Sequence, residues 1–245
     1  MNIISWRLPD APLRASAVTS TLVGLFAVVV LASMAHTALP LGDLYLPKAS
    51  AAFAAAMLLA FGFLRQHHQF ERFGLANQIT TARALLVALI GGLIGEPRFP
   101  TIAASAAAAS LLVTTLDGAD GWLARRHRIA SVFGARFDME IDALLILVLA
   151  ILAWRFEKAG VWVLLSGLLR YAFAAAGALA PWLNAVLPPS RRRQTICVIQ
   201  IVALALALLP AVRPPLSSLL AGAALLTLGY SFLVDTLWLS RHAAA

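Results

Sequence analysis

Apolar residues run in about eight long stretches separated by short polar breaks, approximately 17–39, 46–64, 79–95, 100–116, 139–154, 160–183, 195–212 and 215–239. A helix needs roughly 20 apolar residues to cross the hydrocarbon core of a bilayer. The stretches do not alternate with period two, which disfavours a transmembrane barrel. In lipid, backbone polar groups must then be satisfied within each segment, which leaves helices. Pro40, Pro47, Pro97, Pro188, Pro189, Pro214 and Pro215 punctuate the turns. The pattern predicts an all-α polytopic membrane bundle with no room for a soluble domain.

Composition agrees with the pattern. The chain of 245 residues is 61% hydrophobic and 12% charged, against about half and about a quarter in soluble domains. The net charge of +8 is ascribed to topology and to anionic head groups rather than to nucleic acid. Seventeen of the nineteen basic residues are Arg, which suits bidentate contact with phosphate and equally a GC-rich genome. The single Cys197 excludes a disulfide or a thiolate metal centre within one chain.

With the N-terminus in the cytoplasm, one set of loops holds twelve Lys and Arg and the opposite set five, and Arg83 and Arg170 fall inside spans. The excess favours an even number of spans and a multi-pass protein of the bacterial cytoplasmic membrane. Ser33-Met34-Ala35 resembles a signal-peptide cleavage site, although the run before it exceeds the usual length; cleavage there would leave the later loops on the same sides. The basic, aromatic segment 65–74 reads either as an interfacial helix or as a plain connector.

The segment 117–142, DGADGWLARRHRIASVFGARFDMEID, holds five of the eleven acidic residues and lies on the cytoplasmic side of that topology. Carboxylates at membrane depth are costly and require partners. Residues three or four apart share a helix face, so Asp117 and Asp120 point together from one helix, and Asp138 and Asp142 from the next. The two helices are joined by a short segment and should be antiparallel neighbours, so that four carboxylates converge. Uncompensated, they repel and take up protons; a hard divalent cation such as Mg²⁺ or Mn²⁺ resolves the conflict and keeps positions open for phosphate oxygens. Gly118 and Gly121 let a ligand approach the backbone, Ala124 is small, and Arg125 offers a guanidinium fork to phosphate. Gly134 permits close packing at the start of the second helix.

Asp117, Asp120, Gly121, Ala124, Arg125, Gly134, Asp138 and Asp142 stand in the order and spacing D-x2-D-G-x2-A-R-x8-G-x3-D-x3-D. The segment thereby resembles the signature of the CDP-alcohol phosphotransferase family of integral membrane enzymes. The resemblance implies a catalytic six-helix core over residues 77–240, preceded in residues 1–76 by two additional membrane helices and a connector. It implies two divalent ions held by Asp117, Asp120, Asp138 and Asp142, with Asp142 as the general base. It implies nucleotide contacts from Gly121, Ala124, Arg125 and Ser131, and from a stretch before the first core helix to which Asn77 and Thr80 are similar. The implied reaction is attack of an acceptor hydroxyl on the β-phosphorus of a CDP-linked lipid donor, with CMP leaving, in phospholipid biosynthesis by a homodimer.

The acceptor is read from basic residues. Arg136, Arg170 and Arg191, the last at the head of an Arg191-Arg192-Arg193 run, form a candidate pocket for an anionic acceptor. Arg170 is the most informative, because a guanidinium within a span needs either a substrate anion or an internal ion pair. The expectation is CDP-diacylglycerol as donor and glycerol 3-phosphate as acceptor. Met139 and Ala143 match none of the subfamily habits, so inositol phosphate, serine, or diacylglycerol with CDP-choline or CDP-ethanolamine stay open. The small residues Ala172, Ala174, Ala175, Ala176, Gly177 and Ala178 suit close helix packing or a dimer seam. An ion-coupled transporter is the competing class, set against acids at the membrane edge rather than the midplane.

Overall fold

The computed structural model describes residues 11–67, 73–127, 132–185 and 187–242, with the backbone alone for 63–67, 76, 119–127 and 132. The helices are α1 (Ala11–Ala38), α2 (Tyr45–His67), α3 (Gly74–Gly92), α4 (Pro100–His127), α5 (Val132–Arg155), α6 (Leu165–Leu179), α7 (Arg191–Leu208) and α8 (Leu216–His242). No strand occurs among the described residues. Among the described residues five helical segments are long and apolar enough to cross a membrane, in α1, α2, α4, the region of α6, and α8. Their outward faces carry large exposed apolar side chains, among them Phe26, Leu179 and Leu226; such a surface matches lipid rather than water.

The apolar runs and the helices differ at two places. The fourth and fifth runs stop short of the charged segment, yet α4 continues to His127 and α5 begins at Val132, so the motif is largely helical. The sixth run is broken: a 3₁₀ turn (Val161–Leu164) precedes α6, and a second (Pro181–Asn184) follows it. Pro181 has no N–H to continue the α-helical ladder, and Asn184 Nδ2 donates to the Gly177 carbonyl at 2.6 Å, tying the turn back onto α6.

Helix α3 is the hub. It packs on α1, α2, α4 and α5, while α7 packs on α4, α5 and α8. Among the described residues α4 and α5 are held mainly by α3 and α7, which pack on both. At the acidic end, Arg83 of α3 reaches carboxylates of both helices.

The two N-terminal helices dock against α3. Ser16 Oγ accepts a hydrogen bond from the Phe73 amide at 3.1 Å, and Tyr45 donates its hydroxyl hydrogen to the Leu89 carbonyl at 3.2 Å. At the end of the bundle away from the acidic motif, Glu96 in the α3–α4 turn accepts from Lys48 Nζ at 2.5 Å and from the Gly42 amide at 2.6 Å. Burial works to raise the Glu96 carboxyl, but the bonds from Lys48 and Gly42, with the charges of Lys48 and His36, outweigh it and hold the pKa below the ordinary carboxylate range. At that same end Lys158, in the α5–α6 loop, donates to the Leu209 and Val212 carbonyls at 2.8 and 2.6 Å and closes the C-terminus of α7.

Candidate metal and phosphate site

Asp117 on α4 and Asp138 and Asp142 on α5 present carboxylate oxygens that all lie within 4.8 Å of one another. The three side chains are half-buried. Asp138 and Asp142, one turn apart, share a face of α5, and the same face is met by α3 and α7. A Cβ placed on Gly118 would meet nothing within 4 Å among the described residues. An all-oxygen donor set of this size suits a hard divalent cation. The cluster can hold one.

The charge of the cluster is met from α3. Arg83 is 1% exposed. Its Nη1 lies 2.8 Å from Asp117 Oδ1 and donates to Asp138, while Nη2 donates to Asp142. One planar fork thus bridges carboxylates of two helices, a geometry open to guanidinium and closed to ammonium. From α7, Cys197 donates its thiol hydrogen to Asp142 Oδ2 at 3.7 Å.

The N-terminal end of α3 is closed by aromatic packing. Phe73 and Phe133 rings are 6.0 Å apart, and Phe133 and Phe137 are 5.7 Å apart. Asn77 and Thr80 are buried, and Asn77 Nδ2 donates to the Phe73 carbonyl at 2.5 Å. Asn77, Thr80 and Arg83 follow one another at three-residue spacing, a stripe along α3 that leads into the carboxylates.

The remaining expected site residues fall in different places. Asp120, Gly121, Ala124 and Arg125 are on the backbone of α4, with side chains outside the description, and Ser131 lies outside the described residues. Gly134 is in the first turn of α5. Arg136 is exposed on α5, and Arg191 is exposed at the first position of α7. Arg170 on α6 is ion-paired with Glu140. Glu140 is two residues from both Asp138 and Asp142 and hence on another side of α5. Arg192 and Arg193 bind Asp235 of α8 at 2.5 and 3.3 Å, and Arg192 also donates to the Ser231 carbonyl and hydroxyl at 2.8 and 3.0 Å.

Arg83 and Cys197 are the site residues that the linear reading did not single out for this cluster. Arg83 carried a usable signal: it is a basic residue within a span, three positions after Thr80, and such a group needs an anion at its own depth. Cys197 carried none, because a thiol in an apolar run is most often packing.

A family model described as CDP-alcohol phosphatidyltransferase matches residues 73–234. The match covers about two-thirds of the chain, from the residue before α3 into α8, and contains the three clustered aspartates and Arg83. Searches of curated proteins and of solved structures found no match. The chain belongs to the CDP-alcohol phosphatidyltransferase family, a family of transferases.

Proposed function

We propose that this protein is a metal-dependent membrane phosphotransferase that moves the substituted phosphate of CDP-diacylglycerol to the hydroxyl of glycerol 3-phosphate and releases CMP. The observation that carries the proposal is the convergence of Asp117, Asp138 and Asp142 within 4.8 Å, inside a region that matches a transferase family acting on CDP-alcohols. Asp117, Asp120, Asp138 and Asp142 would hold two ions, Mg²⁺ or Mn²⁺. Bound there, such ions neutralise a diphosphate and stabilise the charge that develops on departing CMP.

The protein's own groups supply the rest. In the proposed reaction the acceptor oxygen forms a bond to the donor's β-phosphorus, and the bond from that phosphorus to the CMP oxygen breaks with its electron pair. The acceptor proton passes to the Asp142 carboxylate, the residue proposed as general base. Cys197 orients Asp142 through the 3.7 Å hydrogen bond. Asn77, Thr80, Gly121, Ala124, Arg125 and Ser131 are proposed to hold the CDP portion. Arg136, Arg170 and Arg191 are proposed to attract the acceptor phosphate, with Glu140 as the counter-ion of Arg170 in the absence of substrate.

The excess of Arg and Lys on one set of loops supports an active site facing the cytoplasm. The family resemblance supports a homodimer, and the small residues of α6 suit either core packing or its seam. The deciding experiment supplies purified protein with CDP-diacylglycerol and, separately, glycerol 3-phosphate, inositol phosphate or serine, and supplies CDP-choline or CDP-ethanolamine with diacylglycerol. The lipid product is identified by mass. Phosphatidylglycerol phosphate from the first mixture is the expected product; a product from another mixture alone would reassign the substrates.

A further inference from the structure

Three half-buried carboxylates and one buried guanidinium meet at a single spot. Arg83 contacts Asp117, Asp138 and Asp142 together, and these are the carboxylates that could hold a divalent cation. A cation entering that cluster meets an existing positive charge at contact distance, where low dielectric makes repulsion strong. Arg83 cannot lose its proton to relieve the repulsion. It can only change partners.

We propose that Arg83 is an exchangeable counter-ion. It neutralises and gathers the aspartates before metal binds, yields their oxygens to the metal, and then turns its fork to the diphosphate of the nucleotide. The second half follows from the cost of burial. A guanidinium at 1% exposure that gives up carboxylate contacts is stabilised by an anion that replaces them. The arriving anion is the diphosphate, whose oxygens match a planar fork. The stripe of Asn77, Thr80 and Arg83 places that fork on the helix proposed to hold the nucleotide. The inference rests on reading the aspartates as a divalent-metal site for a CDP diphosphate.

Binding measurements separate this role from plain structural support. Mn²⁺ is titrated into the purified full-length protein in detergent, without substrate, and free Mn²⁺ is read by its paramagnetic resonance signal. CDP binding is then measured by equilibrium dialysis at saturating Mn²⁺. Arg83→Gln removes the competitor, so Mn²⁺ should bind about tenfold tighter, while CDP should bind about tenfold more weakly. Arg83→Lys keeps a charge but cannot bridge the carboxylates, so both affinities should move the same way by roughly threefold.

Unchanged or weaker Mn²⁺ binding in Arg83→Gln would overturn the proposal, as would unchanged CDP binding. If Arg83→Gln does not fold, the same two readings on Arg83→Lys decide. Normal Mn²⁺ binding by the wild type with no gain in either variant sinks the exchange alone. No Mn²⁺ binding by wild type or variants sinks the metal-site reading together with it.

Discussion

Cys197 of α7 and Asp142 of α5 are joined by a thiol-to-carboxylate hydrogen bond of 3.7 Å. It is the contact through which α7 reaches the carboxylate proposed as the base. A thiol is a weak donor, so its loss should be modest. Cys197→Ala is expected to lower kcat for CMP release about twofold to fivefold, with the donor KM unchanged and Cys197→Ser retaining most of the rate. A wild-type rate in Cys197→Ala would show that the contact does not orient Asp142.

Gly167 sets the approach of α6 to α5. A Cβ at that position would stand 2.5 Å from Leu147 Cα and 2.8 Å from its Cβ. Backbone cannot step aside as a side-chain tip can, so the helices must separate. Gly167→Ala is expected to cost roughly 1–3 kcal/mol, read as a lower thermal midpoint in detergent. An unchanged midpoint would mean that the helices separate freely there.

Glu96 gives the bundle an acid limit. Its pKa is held below the ordinary carboxylate range in the folded protein. Its stabilising contribution is therefore complete above the ordinary carboxylate value and is lost as pH falls through the lowered one. Unfolding measured across that acidic window should show a decline that flattens in Glu96→Gln. At neutral pH the variant should lose roughly 1–3 kcal/mol, because Lys48 and the Gly42 amide lose a charged acceptor. An acid decline identical in the variant would assign it to other carboxylates.

Arg170 separates acceptor binding from packing. If its fork leaves Glu140 for an acceptor phosphate, Arg170→Ala should raise the glycerol 3-phosphate KM about tenfold and leave the donor KM unaltered. Glu140→Gln removes the competing carboxylate and should lower the acceptor KM. An acceptor KM untouched by both changes would leave the pair as a tie between α5 and α6.

The readable parts of this molecule were those with local rules. Apolar runs revealed the helices, and the i, i+4 spacing of Asp138 and Asp142 put both on one face of α5, where they meet Asp117. The part that α3 and α7 play in holding α4 and α5 was not readable, because it depends on packing between helices distant in sequence. Pairing was equally hidden. Asp235 accepts from Arg192 and Arg193 across more than forty residues, and no periodicity marks such a partner. The break after Leu179 was visible in Pro181, but an apolar run of Gly160 to Leu183 masks it when hydropathy is read first.

The most direct measurement is CMP release from CDP-diacylglycerol and glycerol 3-phosphate by purified wild-type, Asp138→Asn and Asp142→Asn protein, with Mg²⁺ and after chelation. Release is expected from the wild type with Mg²⁺ alone, falling at least about a thousandfold in either variant. Undiminished release after chelation, or from both variants, would contradict a reaction centred on these aspartates.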